Sequence, residues 1–188
     1  MSSRLFIENI DSEEVLKGCV NPEDIAVVEN YSNHGRRCES LAWRAIVRRE
    51  VGKDVRISYD EYGAPQVDLP NYYISVSHSK GVVALLLSDT PCAIDIEQTE
   101  RNFRRVADRY LSKRECDIAE ANDLYAEMWC AKEALYKYYK RGGLDLVDDL
   151  VISDYLPQER VLLATILDGE PIRVKIKREG NLAIALID

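Results

Sequence analysis

The most informative segments of this chain are Ala93-Ile94-Asp95-Ile96-Glu97 and Trp129-Cys130-Ala131-Lys132-Glu133-Ala134-Leu135-Tyr136-Lys137. The first segment alternates between two kinds of side chain, which predicts a strand with Asp95 and Glu97 on the same side. Two strand steps separate these carboxylates by roughly 6.5 Å along the backbone, so both can reach one cation directly or through water. Magnesium prefers such an all-oxygen, partly hydrated shell.

The second segment is predicted to be a helix, because apolar residues recur at spacings of three and four. Its expected buried stripe contains Leu124, Met128, Ala131, Leu135 and Tyr138. Glu133 lies nearly opposite that stripe, Lys137 follows one turn later, and Lys132 lies about a quarter turn away. A surface Glu–Lys pair worth about a few tenths of a kcal/mol would explain this helix alone. Together with the strand, however, three carboxylates and two lysines indicate a divalent metal that holds a phosphate.

The composition is that of an ordinary globular protein, with 188 residues of which 46% are hydrophobic. A net charge of −8 argues against generic nucleic-acid binding, which depends on neutralising phosphates with Lys and Arg. The first residues lack a basic leader region, and no stretch approaches the roughly 20 apolar residues of a membrane helix. We therefore expect a cytoplasmic protein without a membrane partner. Five scattered cysteines with no CxxC pair predict reduced thiols.

Residues 101–114 carry a local excess of basic side chains. These are Arg101, Arg104, Arg105, Arg109, Lys113 and Arg114, against the single acid Asp108. The stretch is either the solvated side of a helix or a docking surface for an acidic protein partner.

Periodicity and turn residues divide the chain into two parts of the same kind. The first contains a loose, strand-rich start, a helix at about 39–50, and short strands near 55–59, 73–77 and 82–87. The second contains a strand at 92–97, a helix at about 103–111, a capping box at Ser112 and Glu115, a helix at 123–140 that ends at Gly142-Gly143, and strands near 146–153, 161–167, 172–177 and 182–187. We therefore predict an α+β fold of two similar α/β subdomains, residues 1–89 and residues 90–188, the second carrying the metal site.

The strand and helix resemble the two-part signature of the 4′-phosphopantetheinyl transferases of the larger, surfactin-synthetase type. Other segments match that family in the same order: Arg36-Arg37 leading into Leu41-Ala42-Trp43-Arg44, then Tyr62-Gly63-Ala64-Pro65, Ser75-Val76-Ser77-His78-Ser79, and Arg109-Tyr110-Leu111-Ser112-Lys113-Arg114-Glu115. Two positions depart from the family pattern. Ala93 stands where a glycine is usual, and Ala64 stands where a lysine or arginine is usual.

The resemblance implies the fold of that family, with two subdomains related by a pseudo-twofold axis and the active cleft between them. It implies transfer of the 4′-phosphopantetheine group from coenzyme A to a serine of an acidic acyl or peptidyl carrier protein, with release of adenosine 3′,5′-bisphosphate. It also implies Mg²⁺, with Mn²⁺ as an alternative ion, held by Asp95, Glu97 and Glu133. Because one chain supplies both subdomains, we expect a monomer.

The same resemblance implies roles on the long helix. Glu133 is the expected general base, directly or through a metal-bound water. Lys137 is expected to act in catalysis by steadying the pyrophosphate or the leaving group. Lys132 is expected to bind phosphate, with a structural salt bridge as the alternative.

Further residues are expected to bind the coenzyme. Ser77 and His78 are expected to contact its 3′-phosphate or diphosphate, although an ordinary turn histidine is the alternative. Arg36 or Arg37 is expected to hold the 3′-phosphate through two parallel hydrogen bonds, and spacing slightly favours Arg37. At Ala64, either the affinity for coenzyme is lower or another basic residue substitutes.

Two other functions use some of the same features. A metal-dependent phosphohydrolase or nucleotidyl enzyme also needs clustered carboxylates, but the chain has neither a glycine-rich phosphate loop nor a histidine cluster. A catalytically silent module that only binds a carrier protein would keep the fold. Such a module has no need of Asp95, Glu97, Glu133 and Lys137 together.

Overall fold

The computed structural model describes residues 3–188. The first part of the chain forms a three-stranded antiparallel sheet covered by helices. Its elements are β1 (Arg4–Asn9), α1 (Glu13–Lys17), α2 (Pro22–Glu29), α3 (His34–Glu50), β2 (Ile57–Tyr59), β3 (Pro65–Val67), β4 (Tyr73–Ser79) and β5 (Val82–Ser88). The sheet order is β1-β5-β4, and β2 pairs with β3 separately. Leu41, Ile46 and Val47 of α3 are buried in a core shared with β5.

The second part forms a larger antiparallel sheet with one long helix across it. Its elements are β6 (Ala93–Gln98), a 3₁₀ helix (Phe103–Arg109), α4 (Lys113–Asn122), α5 (Tyr125–Tyr139), β7 (Leu150–Leu156), β8 (Val161–Ile166), β9 (Ile172–Glu179) and β10 (Leu182–Ile187). The sheet order is β6-β10-β9-β8-β7, which leaves β6 at an edge. α5 packs on β6 and β10.

An apolar cluster joins the two sheets. It contains Leu86 of β5, Ile94 and Ile96 of β6, and Ile184 of β10, all almost fully buried. Because the sheets share this core, the edge strand β4 of the first sheet lies beside the edge strand β6 of the second. The segments of β4 and β6 that resemble the family pattern therefore lie side by side. We call the contact between these two edge strands the seam.

The α+β prediction is confirmed, but the start of the chain was predicted wrongly. After β1, the chain forms α1 and α2 instead of further strands. Local signals for these helices are present, since Ser12 caps α1, and α2 has a capping box at Asn21 followed by Pro22. The third helix begins at His34 rather than near residue 39, because the Asn33 side chain accepts a hydrogen bond from the first turn.

Other boundaries also differ. α5 ends at Tyr139, because Lys140 itself adopts the left-handed conformation with φ 65°, so Gly142-Gly143 lies beyond the helix. The predicted helix at 103–111 is a 3₁₀ helix, and the strand predicted to start at 146 starts at Leu150. The capping box of Ser112 and Glu115 is confirmed. Within residues 3–188, no helix has both the length and the apolar character that crossing a membrane requires.

Candidate active site

The candidate site is built around the carboxylates of β6. Asp95 is 6% exposed and Glu97 is half-buried, although both are ionisable, because β6 lies between α5 and the edge of β4. Alternation along the strand places Ile94 and Ile96 in the core between the sheets and directs the two carboxylates to the opposite side.

The two oxygens of Asp95 have different surroundings. Its Oδ1 accepts a hydrogen bond from Ser77 Oγ at 2.8 Å and another from Lys137 Nζ at 2.7 Å. Its Oδ2 is buried and has no hydrogen-bond partner among the described residues. A buried carboxylate oxygen without a partner is costly, so Oδ2 is an atom that a bound cation would satisfy.

Glu97 is held in a similar way, from two sides. Its Oε2 accepts a hydrogen bond from Ser79 Oγ at 2.7 Å. Its Oε1 forms an ion pair with Arg101, whose side chain is largely exposed. Because Arg101 lies at the surface, it can leave Oε1 at little cost, whereas the Ser79 bond is largely protected from water.

Glu133 of α5 completes the group of carboxylates. Burial, then the negative charge of Asp95, raise the pKa of the Glu133 carboxyl; Lys137 opposes this rise, and Glu97 adds to it. The charges of Asp95 and Glu97 thus act on Glu133, and a divalent cation among the three carboxylates would relieve this repulsion. All their donor atoms are hard oxygens, and one is buried and unpaired, so these residues fit Mg²⁺ or Mn²⁺.

Lys137 lies at the junction of the two sheets. Besides Asp95, its ammonium group donates to the carbonyl of Ile94 at 3.0 Å and to that of Val76 at 3.4 Å. The Lys137 ammonium thus lies beside Asp95 and contacts both β4 and β6.

A cavity of about 400 Å³ opens next to Lys137. It is bounded by the turn Tyr62–Pro65, by β4 and by the end of α5. Its walls are mainly apolar, and its charged lining residues are Lys137 and Lys140, with no carboxylate among the described residues that line it. Such a cavity suits a ligand with an apolar body and anionic groups.

Arg36 and His78 line a second groove, of about 200 Å³, beside the first. The Arg36 guanidinium lies 5.0 Å from the centre of the Tyr31 ring, and His78 Nδ1 lies 3.4 Å from Glu39 Oε1. Arg37 instead donates to Glu13 at 3.0 Å and to the Tyr31 carbonyl at 3.0 Å. The preference for Arg37 is therefore contradicted, because its guanidinium is already engaged within the protein, whereas Arg36 lines the groove.

A separate cluster is formed by Glu13, His34 and Cys38, whose possible ligand atoms lie within 4.8 Å of one another. Glu13 is already paired with Lys17 at 2.9 Å and with Arg37 at 3.0 Å. Hydrogen bonds from Lys17, then Arg37, lower the pKa of Glu13 to about 2. A divalent cation would meet two fixed positive charges, so this cluster is better described as an ion-pair network.

The predicted phosphate contact of Lys132 is wrong. Its side chain is 0% exposed, and its ammonium donates to Glu115 Oε1 at 2.6 Å, to the Leu146 carbonyl at 2.8 Å and to the Leu150 carbonyl. All three donors of the ammonium are thus used inside the protein. The alternative of a structural salt bridge describes Lys132.

The predicted coenzyme contact of Ser77 is also contradicted. Ser77 is 5% exposed, and its hydroxyl donates to Asp95 while accepting from the backbone N–H of Ile96 at 3.2 Å. Sequence reasoning missed Ser79 and Lys140. The alternation of Ser75, Ser77 and Ser79 was a usable signal for three hydroxyls on one side of a strand, but the predicted strand ended at residue 77, two residues before Ser79.

The chain is similar to known proteins. The chain is 32% identical over 109 residues to 4′-phosphopantetheinyl transferase Sfp of Bacillus subtilis (strain 168), an alignment that covers 53% of this chain and 49% of that protein. The chain therefore aligns with about half the length of this curated relative. The sequence model of the 4′-phosphopantetheinyl transferase superfamily matches residues 91–187, which include β6 and α5. The chain belongs to the 4′-phosphopantetheinyl transferase superfamily.

Proposed function

We propose that this protein transfers the 4′-phosphopantetheine group of coenzyme A to a serine hydroxyl of an apo acyl or peptidyl carrier protein, in a Mg²⁺-dependent reaction. The observation that carries the proposal is the unpaired, buried Oδ2 of Asp95 within a group of three carboxylates, beside a cavity whose charged lining residues are lysines. The carboxylates suit a hard cation, and the lysines suit the phosphates of the coenzyme.

Asp95, Glu97 and Glu133 would hold the ion, with Mn²⁺ as the alternative to Mg²⁺. When bound, it neutralises charge on the pyrophosphate. Glu133 would accept the proton of the incoming serine as the general base, directly or through a metal-bound water. A bond forms between the serine oxygen and the phosphorus that carries pantetheine. The bond from that phosphorus to the bridging oxygen breaks, and adenosine 3′,5′-bisphosphate leaves.

The remaining binding roles are assigned from the two cavities. Lys137 and Lys140 would contact phosphate oxygens in the larger cavity, and Arg36 with His78 would contact the 3′-phosphate in the neighbouring groove. Lys140 lies in the same cavity as Ala64, so it is placed to supply the positive charge that Ala64 lacks.

We also propose the cellular and structural setting. Residues 1–89 and 90–188 would form the two subdomains, in a monomer located in the cytoplasm. Five free cysteines support a reducing compartment. Arg104, Arg105 and Arg109 are exposed and would face an acidic carrier protein rather than nucleic acid.

Lys140→Gly should separate binding from stability. A side chain on a left-handed residue strains the folded backbone by about 1–2 kcal/mol, and glycine removes this strain. Glycine also makes the unfolded chain more flexible, which lowers stability by only about 0.4–1 kcal/mol. We therefore expect the free energy of unfolding to stay equal or rise, while the KM for coenzyme A rises about tenfold or more through loss of a charged hydrogen bond. Steady-state kinetics and urea unfolding measure both. Lys140→Arg, which keeps the charge, is the control, and an unchanged KM in the glycine variant would remove Lys140 from the binding site.

Asp95→Asn should raise the magnesium concentration needed for half-maximal transfer by at least about tenfold. The substitution keeps the shape of the side chain but deletes a charge that a metal needs. Titration of Mg²⁺ against the transfer rate measures this. Asp117→Asn on the exposed side of α4 is the matched control. If both variants show the wild-type half-saturation point, Asp95 has a purely structural role.

Intact-protein mass spectrometry of an apo carrier protein, incubated with coenzyme A, Mg²⁺ and this chain, tests the proposed function. Transfer adds the mass of phosphopantetheine to the carrier. A phosphohydrolase would consume coenzyme A and leave the carrier unchanged. A silent module would bind the carrier and alter neither molecule, and either of these last two results would contradict the proposal.

A further inference from the structure

The seam between β4 and β6 is bridged by serine side chains. The two strands are edges of different sheets, so they do not form a backbone ladder with each other. Instead, Ser75 Oγ accepts a hydrogen bond from the N–H of Ile94 at 3.0 Å, and Ser77 Oγ accepts one from the N–H of Ile96 at 3.2 Å. These hydroxyls satisfy backbone donors that a paired strand would otherwise satisfy.

Two serines of the seam also donate to the candidate metal-binding carboxylates. Ser77 donates to Asp95 Oδ1 at 2.8 Å, and Ser79 donates to Glu97 Oε2 at 2.7 Å. A hydroxyl has one proton to donate. Because the proton of each serine is committed to a carboxylate, neither hydroxyl is free to donate to a phosphate.

The arrangement orients the carboxylates. On Asp95, the Ser77 hydroxyl and the Lys137 ammonium both donate to Oδ1, which leaves Oδ2 unpaired. On Glu97, Ser79 holds Oε2 and leaves Oε1 to the exposed Arg101. Ser77 and Ser79 are only 5% and 8% exposed, so water competes poorly for these bonds.

We propose that Ser77 and Ser79 are positioning residues that hold one oxygen of Asp95 and of Glu97, so that the other oxygen of each is directed to the cation. This inference rests on the proposed function, because it assumes that these carboxylates hold a divalent ion. It assigns the two hydroxyls to the metal site and not to the coenzyme. Hydrogen-bond partners of metal ligands fix ligand orientation, and their loss commonly weakens metal affinity by about 10–100-fold.

The test is the dissociation constant of Mn²⁺, measured by electron paramagnetic resonance with saturating coenzyme A. Ser77→Ala and Ser79→Ala should each weaken Mn²⁺ binding by about 10–100-fold. Ser75→Ala is the matched control, since its hydroxyl bonds to the same seam through a backbone N–H and not through a carboxylate. The Mn²⁺ dissociation constant of Ser75→Ala should stay within about twofold of wild type. The Ser77 and Ser79 variants should show the larger change, because each loses a hydrogen bond to a charged carboxylate. Coenzyme A binding measured without metal should be unchanged in the Ser77 and Ser79 variants.

Three results would overturn the inference. In the first, Ser77→Ala and Ser79→Ala bind Mn²⁺ as tightly as the wild type, and the wild type transfers phosphopantetheine. This result would contradict the positioning role of the serines but not the proposed function. In the second, metal-free coenzyme binding weakens while Mn²⁺ affinity does not change, which returns the serines to the coenzyme site. In the third, the wild type neither binds Mn²⁺ nor transfers the group, and the proposed function fails as well. If Ser77→Ala does not fold, Ser79→Ala at the end of β4 decides.

Discussion

Glu133→Gln is expected to lower the rate constant for transfer by about 10²–10⁴-fold, the usual contribution of a general base. The amide keeps the shape of the side chain but can neither accept the serine proton nor balance the charge of a cation. Stopped assays with saturating coenzyme A and Mg²⁺ measure the effect. In the wild type, kcat/KM should fall as the pH is lowered until the Glu133 carboxyl becomes protonated, because the protonated carboxyl cannot act as a base. That inflection should be absent from the variant.

The stability of Glu133→Gln shows whether a lower rate comes from loss of folding. When the pKa of a carboxyl is higher in the folded state than in the unfolded state, its ionisation lowers the free energy of unfolding. This loss occurs as the pH rises from the unfolded-state pKa through the folded-state pKa. At neutral pH and without metal, the neutral amide should therefore be at least as stable as the wild type. Glu159→Gln, on an exposed hairpin, should keep the wild-type rate. Turnover of Glu133→Gln within threefold of wild type would rule out its role as the base.

Lys132→Met is expected to lower the free energy of unfolding by about 3–5 kcal/mol, the usual cost of removing one partner of a buried ion pair. Methionine fills much of the same space, but it leaves Glu115 buried without its cation and frees two backbone carbonyls. Urea unfolding followed by circular dichroism measures the loss. A decrease below about 1 kcal/mol would mean that the pair is as weak as an exposed one.

A double variant separates charge from packing. Glu115 also accepts the N–H groups of Ser112 and Ile152, so it joins the start of α4 to β7 as well as to α5. Glu115→Gln in the Lys132→Met background removes the isolated charge, and we expect it to recover part of the lost stability. If the two substitutions are additive, they do not act through one pair.

The carboxylates of β6 could be predicted from the sequence because a strand has a simple period. Alternation alone put Asp95 and Glu97 on one side of the strand, and the structure places Asp95 beside Lys137. The serines of β4 follow the same period, so their common direction was also accessible. Their partners were not, because the contact between two sheet edges depends on how the two halves pack.

The helical residues were harder to predict. A helical wheel assumes one buried side, but α5 is covered by β6 and β10 on one side and by α4 and β7 on another. Lys132 therefore lies in a buried polar position, although the family resemblance implied a phosphate contact. The preference for Arg37 as the phosphate contact was wrong for a related reason. Its partner Glu13 lies on α1, a helix that was not predicted. The conformation of Lys140 contradicts the local preference for glycine, and such exceptions cluster at functional sites.

Measuring both products of one reaction is the sharpest test of the proposed transfer. The wild-type chain is incubated with coenzyme A, an apo carrier protein and Mg²⁺, and then with excess chelator, and holo carrier and adenosine 3′,5′-bisphosphate are counted in each case. We expect equal amounts of holo carrier and adenosine 3′,5′-bisphosphate with Mg²⁺, and neither product after chelation. Release of the bisphosphate without holo carrier, or transfer that persists in the chelator, would contradict this expectation.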